Sequence, residues 1–311
     1  WRAELEGVDG APILAADVVD AAEAVPTAGF VEVPFDPALR TALRDHDGLG
    51  NTEFMAVHAM VAALLHRLHS DPAAHFGTRR SDLVIGTPVA GRGDPRLAEL
   101  VGMFVNSVPL RTPVASDARF VDLLSTVRDA DLVALAHADL PFERLVAALR
   151  PARTGGHPIF QIALTVDDLD IADTGALELD GIESEVLPVE AGGPRFDLEL
   201  RVRSGVARFI YDTSRFSRRR VADLADRFVA LAEQVVADPT VTIGELQIDS
   251  LAGDGTGSAE QTAPRHLADL IDDTVAARPN AIALDDGDRQ LSYRDASELA
   301  DRWAAALAGY D

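Results

Sequence analysis

The chain has 311 residues, 47% of them hydrophobic, enough to fill one large core or two modest ones. Its 51 acidic side chains outnumber 28 basic ones, and the net charge of −23 repels nucleic acid and anionic membrane surfaces, so neither is expected as a partner. Every basic residue is Arg and cysteine is absent, which excludes Schiff-base lysines, a P-loop lysine, disulfides, thiolate catalysis and cysteine metal sites within these residues.

The first residues, Trp1-Arg2-Ala3-Glu4-Leu5-Glu6, have neither the basic start nor the apolar stretch of a secretory signal. No apolar run of about 18 residues follows, and a soluble, cytoplasmic protein is expected. The lack of an initial Met, and an end at Gly309-Tyr310-Asp311 directly after a helical pattern, read as cuts through something longer.

From Phe30 to Phe35 the apolar Val31, Val33 and Phe35 alternate with Glu32 and Pro34, which predicts a short strand at a sheet edge. Leu39 and Leu43, four residues apart, share one face of a short helix from Pro37 to Asp45. Asn51 is the expected N-cap of a helix running to about Ser70, striped by Phe54, Val57, Met60, Val61, Leu64, Leu65 and Leu68. Leu83-Val84-Ile85-Gly86 has the composition of a buried strand, which the run from Gly86 to Arg92 is expected to break into a loop. A strand from Phe104 to Leu110 and a helix from Phe120 to Ala136, built on Leu123, Leu124, Val127 and Leu132, come next; Pro141 suits the first turn of another helix.

Ile159 to Val166, Leu177 to Val186, Phe196 to Val202 and Val206 to Tyr211 read as strands, and Val221 to Ala237 as a closing amphipathic helix. The pattern predicts an α/β (α+β) fold, a mixed sheet flanked by helices. Leu251 to Pro264 is rich in Gly, Ser and Thr, the composition of a solvated linker. The expected division is therefore a lobe at 1–250, a linker at 251–264 and the start of a further domain at 265–311. That last part holds a helix from about His266 to Ala277, a strand near Ile282 to Leu284, the segment Gln290 to Tyr293 and a helix with Leu299, Trp303, Ala306 and Leu307.

Val101-Gly102-Met103-Phe104-Val105-Asn106-Ser107-Val108-Pro109-Leu110-Arg111 is followed, after 25 residues, by His137-Ala138-Asp139-Leu140-Pro141-Phe142-Glu143. In this order and at this interval the pair resembles the fifth and sixth core motifs of the condensation domains of nonribosomal peptide synthetases. Gly86 to Arg92 matches the loop before the fifth motif, and Arg150 to Gln161 falls where the seventh belongs, with Gly155-Gly156 in place of the usual Ser-Arg before His157-Pro158. Arg195-Phe196-Asp197-Leu198 and Tyr211 to Phe216 resemble the late strands of that family. Leu291-Ser292-Tyr293-Arg294-Asp295-Ala296 resembles the first adenylation motif, with Asp295-Ala296 for Glu-Leu.

The resemblance implies a chloramphenicol-acetyltransferase-like lobe and amide formation between a carrier-bound donor thioester and a carrier-bound acceptor amine. Phosphopantetheine on partner carrier proteins would tether both, and ATP with Mg would serve the adenylation domain. The family's His-His-x-x-x-Asp-Gly motif is not in this sequence; His46-Asp47-Gly48 has one His and the wrong spacing. The chain therefore reads as the second lobe with the start of an adenylation domain, its partners being the first lobe, carrier proteins and the rest of the synthetase, and no catalytic residue is assigned to it. A non-catalytic platform, or an epimerisation domain or related acyltransferase of the same superfamily, are the competing readings.

Gly102, Phe104, Val105, Arg111, His137, Asp139, Pro141, Phe142 and Glu143 are the residues that carry the two motifs. Asn106 and Ser107 are expected at the substrate channel. The Asn106 carboxamide suits a thioester carbonyl or a pantetheine amide, and equally a bulged backbone nearby. Asp139, a carboxylate before Pro141, suits a helix cap, and Glu143 the first helical turn. Arg111 suits a phosphate or simple solvation. Arg215, Arg218 and Arg219, next to Arg220, form the densest basic cluster, expected either to dock an acidic carrier helix or to be a solvated helix start. His58, His66 and His69 fall within about a 100° arc of one helix, but no acidic or Cys fourth ligand has a matching spacing, so positions at the core's edge are expected rather than a metal site.

Overall fold

In the first strand, β1 (Ala28–Pro34), Val31 is buried between exposed Phe30 and Glu32, as the alternating sequence dictates. The computed structural model describes residues 1–8, 12–17, 26–44, 50–70, 82–151, 157–167, 193–203, 205–248, 274–285 and 290–307. Two units divide the chain, Trp1–Ala252 and Gly253–Asp311.

In the first unit, β1 is followed by α1 (Pro37–Arg44), α2 (Glu53–Ser70), β2 (Asp82–Val89), β3 (Asn106–Pro113), α3 (Phe120–Ala136) and α4 (Phe142–Leu149). Then come β4 (Ile162–Asp167), β5 (Leu198–Arg203), β6 (Val206–Asp212) and α5 (Arg218–Ala237). The strands form one mixed sheet in the order β1-β6-β5-β4-β2-β3, with β1 at an edge. β4 runs parallel to β2 and β5, and the other pairs are antiparallel. This is the mixed sheet flanked by helices that the sequence predicts.

α2 is buried from Met55 to His66, so it packs as a core helix on every side rather than along a stripe. Phe120, Phe160 and Phe228 are fully buried, each worth roughly 1.5–3 kcal/mol of transfer free energy. The three helix histidines lie inside this core. His58 joins Asp131 (Nδ1 to Oδ1, 2.9 Å) and Thr112 (Nε2 to Oγ1, 3.1 Å). His66 meets Ser116, and both ring nitrogens of His69 meet the carbonyls of Leu65 and Ile13. They are therefore buried rather than at the core's edge, and no group of three His or acidic side chains among the described residues is placed to hold a metal ion.

Other expectations need correction. Thr52, not Asn51, caps α2: its Oγ1 accepts from Met55 N at 3.2 Å. Gly86 to Val89 do not leave the sheet but continue β2, because each pairs with β3 down to Val89 opposite Asn106. Leu132, expected to face the core, is 54% exposed at the outer side of α3. His46-Asp47-Gly48, Gly155-Gly156, Leu177 to Val186, and the linker lie outside the described residues.

In the second unit, residues 274–277 are helical, β7 (Ile282–Asp285) pairs antiparallel with β8 (Gln290–Ser292), and α6 spans Tyr293–Leu307. Asp295 closes a cap with Ser292: the Ser292 Oγ donates to Asp295 Oδ2 at 2.7 Å and accepts from Asp295 N at 3.2 Å. No helix among the described residues is long and apolar enough to cross a membrane.

Candidate functional site

Asn106 opens β3, a residue type that strands disfavour without a local reason. The reason is its side chain. Nδ2 donates to Ala138 O (2.8 Å) and Leu140 O (2.9 Å), and Oδ1 accepts from Phe142 N (3.0 Å). One carboxamide thereby holds the whole turn between α3 and α4, joining the two motifs that lie 25 residues apart in sequence. Of the two roles open for it, satisfying nearby backbone is the one its three bonds perform. It also caps α4 from across the fold. Asp139, the expected cap, is exposed, and Pro141 occupies the N-cap position with no side-chain bond of its own. Glu143 lies in the first turn, as expected.

The turn is braced from the other side by the chain's first residues. The Trp1 indole donates to His137 O at 3.1 Å, and Arg111 Nη1 donates to Glu4 O (2.7 Å) and Glu6 O (2.9 Å). Arg111 is thus neither merely solvated nor directed at an outside phosphate. Ahead of β3, Arg92 stacks over the Phe104 ring at 4.4 Å and bonds the carbonyls of Leu97 and Gly102. Gly91, at φ +64°, makes room for the Phe104 carbonyl where a Cβ would collide. Val101, Met103 and Val105 are exposed.

Asn106 and Ser107 line a cleft of about 290 Å³ with Phe142 and Glu143 of α4, Gly86 to Pro88 of β2 and Met103 and Val105. His157, Phe160, Ala163, Arg195, Phe196 and Glu199 form the rest of its wall. Four rings pack together there. His157 stacks on Phe142 (5.2 Å, 21°), lies 4.5 Å from Phe160 and meets Phe196 edge-on at 4.8 Å. Gly86 is required under Phe160, since any Cβ would enter that ring.

His157 is set by its backbone. Ile159, a β-branched residue, takes φ +73°, and Phe160 N donates to Pro158 O at 2.9 Å across it, a γ-turn of the rare, strained hand. The turn aims the Pro158 and Phe160 carbonyls at His157 Nδ1, at 3.0 and 2.9 Å. Burial holds the imidazole pKa below its usual value, against a smaller opposite pull from the two carbonyl bonds. His157 was not among the residues predicted for the site. The signal available was its place in the seventh-motif segment.

The basic cluster is divided between structural tasks. Arg215 pairs with Asp197 (3.2 Å), whose carboxyl is pushed up by burial more than Arg215 lowers it. Arg218 Nη1 donates to Phe30 O at 2.8 Å, and Ser217 caps α5 with a bond from Arg220 N. Arg218 and Arg219 are exposed at the start of α5, with Arg215 and Arg220 half-buried beside them.

Comparison with known proteins gives a consistent picture. A family described as Condensation domain matches residues 39–254. A dimodular nonribosomal peptide synthase of Bacillus subtilis (strain 168) is 36% identical over 271 residues, 82% of this chain and 11% of that protein. A probable non-canonical nonribosomal peptide synthetase of Salinispora arenicola, CymA, is 33% identical over 321 residues, covering 99% of this chain and 4% of its own length. Among solved structures, the X-domain in its complex with OxyB from teicoplanin biosynthesis is 28% identical with a TM-score of 0.67, covering 80% of this chain and 54% of the other. The chain thus spans only a small part of the curated relatives it matches.

Proposed function

The chain belongs to the condensation-domain family, and on that premise we propose that it is the C-terminal lobe of a condensation domain in a nonribosomal peptide synthetase, followed by a linker and the first residues of an adenylation domain. The reaction is amide formation. The acceptor amine attacks the donor thioester carbon, a C–N bond forms, the C–S bond breaks, and one amine proton leaves with the thiol. What this lobe contributes is position, one wall of the space in which attack becomes effectively unimolecular. The observation that carries the reading is the Asn106 carboxamide, which locks the two motifs together at the rim of an aromatic cleft.

Both substrates would arrive on the phosphopantetheine arms of carrier proteins, passing Asn106 and Ser107 in the channel, and the exposed Arg218 and Arg219 suit an acidic carrier helix. ATP and Mg would serve the adenylation domain. For residues 265–311, support comes from the segment Leu291 to Ala296 and from a synthetase relative that matches 99% of this chain. The test joins this chain to a preceding lobe bearing an intact His-His-x-x-x-Asp-Gly motif and supplies two loaded carriers. Amide yield above that of the carriers alone is expected; a folded pair that gives no excess would sink the reading. A non-catalytic platform has one supporting observation, the related X-domain that forms a complex with OxyB. That reading predicts carrier or partner binding without amide.

A further inference from the structure

Two carbonyl oxygens, of Pro158 and Phe160, face His157 Nδ1 at 3.0 and 2.9 Å. A lone pair there would face two others, so Nδ1 carries the hydrogen and donates it to both. In the neutral ring the lone pair then sits on Nε2, which has no hydrogen-bond partner among the described residues, while the residue lines the cleft. Burial disfavours the imidazolium, so the ring stays an acceptor at neutral pH. The arrangement is built at a cost, because the γ-turn that aims the carbonyls puts a β-branched residue at φ +73°.

What meets Nε2 must donate a hydrogen. A carbonyl or a thioester sulfur offers none. The walls add a second criterion, since the rings of Phe142, Phe160 and Phe196 and the carboxylate of Glu143 favour a nitrogen with several polarised hydrogens, whereas Glu199 is already paired with Arg201. We propose that His157 Nε2 is the hydrogen-bond acceptor for the amine of the nucleophilic substrate, making His157 a binding and specificity residue of the cleft. The bond takes one N–H and leaves the nitrogen's lone pair for attack. This inference rests on the condensation reading only for the identity of the amine's carrier.

The test has a binding arm and a kinetic arm. With the chain labelled with 15N-histidine, long-range 1H–15N spectra should show His157 protonated at Nδ1, and titration with alaninamide should move its Nε2 resonance whereas propionamide, without the amine, should not. In the synthetase containing this chain, supplied with alanyl-N-acetylcysteamine as soluble acceptor, His157→Phe keeps the ring stack and removes the acceptor. It should raise the acceptor KM about tenfold, as expected for one lost hydrogen bond to the substrate, with donor KM unchanged; the thermal midpoint should fall modestly, because the Pro158 and Phe160 carbonyls also lose the Nδ1 donor. His157→Asn, which retains an acceptor oxygen, should recover most of the loss. An Nε2-protonated ring, an Nε2 resonance indifferent to alaninamide, or an unaltered acceptor KM in His157→Phe would overturn the proposal. A wild-type synthetase that forms no amide would instead count against the condensation reading, leaving the binding arm to judge this one.

Discussion

Replacing Asn106 by Ala removes two donors and one acceptor at once, and the local surroundings decide what that costs. The three bonds measure 2.8, 2.9 and 3.0 Å. Leu140 is exposed and Ala138 half-buried, so water can reach their carbonyls, but Phe142 is buried and its N–H is the first of α4. At about 0.5–1.5 kcal/mol net for each bond, with the cap at the upper end, the loss is roughly 2.5–4.5 kcal/mol. Urea unfolding followed by far-UV circular dichroism gives that difference. Trp1, bonded to His137 of the same turn, reports locally by fluorescence and should change even in water without denaturant. Asn106→Asp separates the parts. It keeps the acceptor for Phe142 N but sets a carboxylate against two carbonyls, so at neutral pH it should be no more stable than the Ala variant, and acidification should return part of the loss by restoring one donor. A cost below about 0.5 kcal/mol for Asn106→Ala, with unchanged Trp1 emission, would mean that the carboxamide does not hold the turn. Turnover in the joined enzyme should fall with it, because Phe142 and Glu143 line the cleft.

Asp131→Ala leaves a buried His58 ring nitrogen without its hydrogen-bond partner and should cost about 1–3 kcal/mol in urea unfolding, while Asp131→Asn, which can still accept from Nδ1, should cost less. Gly86→Ala drives a Cβ into the Phe160 ring and should destabilise by about 1–3 kcal/mol, with near-ultraviolet dichroism reporting the displaced ring. For His157 the folded-state pKa lies below 6.5, so its contribution is fully present above pH 6.5 and is lost as pH falls toward the lowered value. Urea midpoints should therefore drop more steeply below pH 6.5 in the wild type than in His157→Phe; parallel curves would show that burial does not perturb this ring. Asp197 runs the other way. Its raised pKa means that stability present below pH 3.8 is lost as pH rises through the folded value, so Asp197→Asn should gain on the wild type over that window.

Much of the fold could be read from residues whose partners are near in sequence. The helix predicted from Phe120 to Ala136 has those limits, because Leu123, Leu124 and Val127 fix its face through local spacing. The edge position of β1 followed from Pro34, and β5 and β6 from strict alternation. Contacts made across long intervals left no such trace. Nothing local says that His58 will find Asp131, 73 residues on, or Thr112, 54 residues on, so a histidine that closes a buried network read as a position at the core's edge. Asp139 was the better cap by local rules. It lost because a side chain on another element reached the same N–H first, and the hydroxyl of Thr52 displaced Asn51 by one position for a local reason that propensity alone does not resolve.

Several of the local rules that fail in the first unit fail around one cleft. Gly86 and Pro88 belong to a strand despite their types, Asn106 starts another, and Ile159 adopts a backbone angle suited to glycine. Three of these departures have a cause on the cleft itself: Gly86 admits Phe160, Asn106 ties the α3–α4 turn, and Ile159 aims two carbonyls at His157. A fold selected only for stability would remove the conflict at position 159, since glycine there would relieve strain of about 1–3 kcal/mol. That several elements hold their exceptions in common, and that these converge on four packed rings whose His157 Nε2 has no partner among the described residues, argues that the wall is shaped for something it binds. Val101 to Arg111 and His137 to Glu143 build and brace the frame, while the cleft-lining ring whose Nε2 has no hydrogen-bond partner among the described residues lies in the seventh-motif segment, at His157.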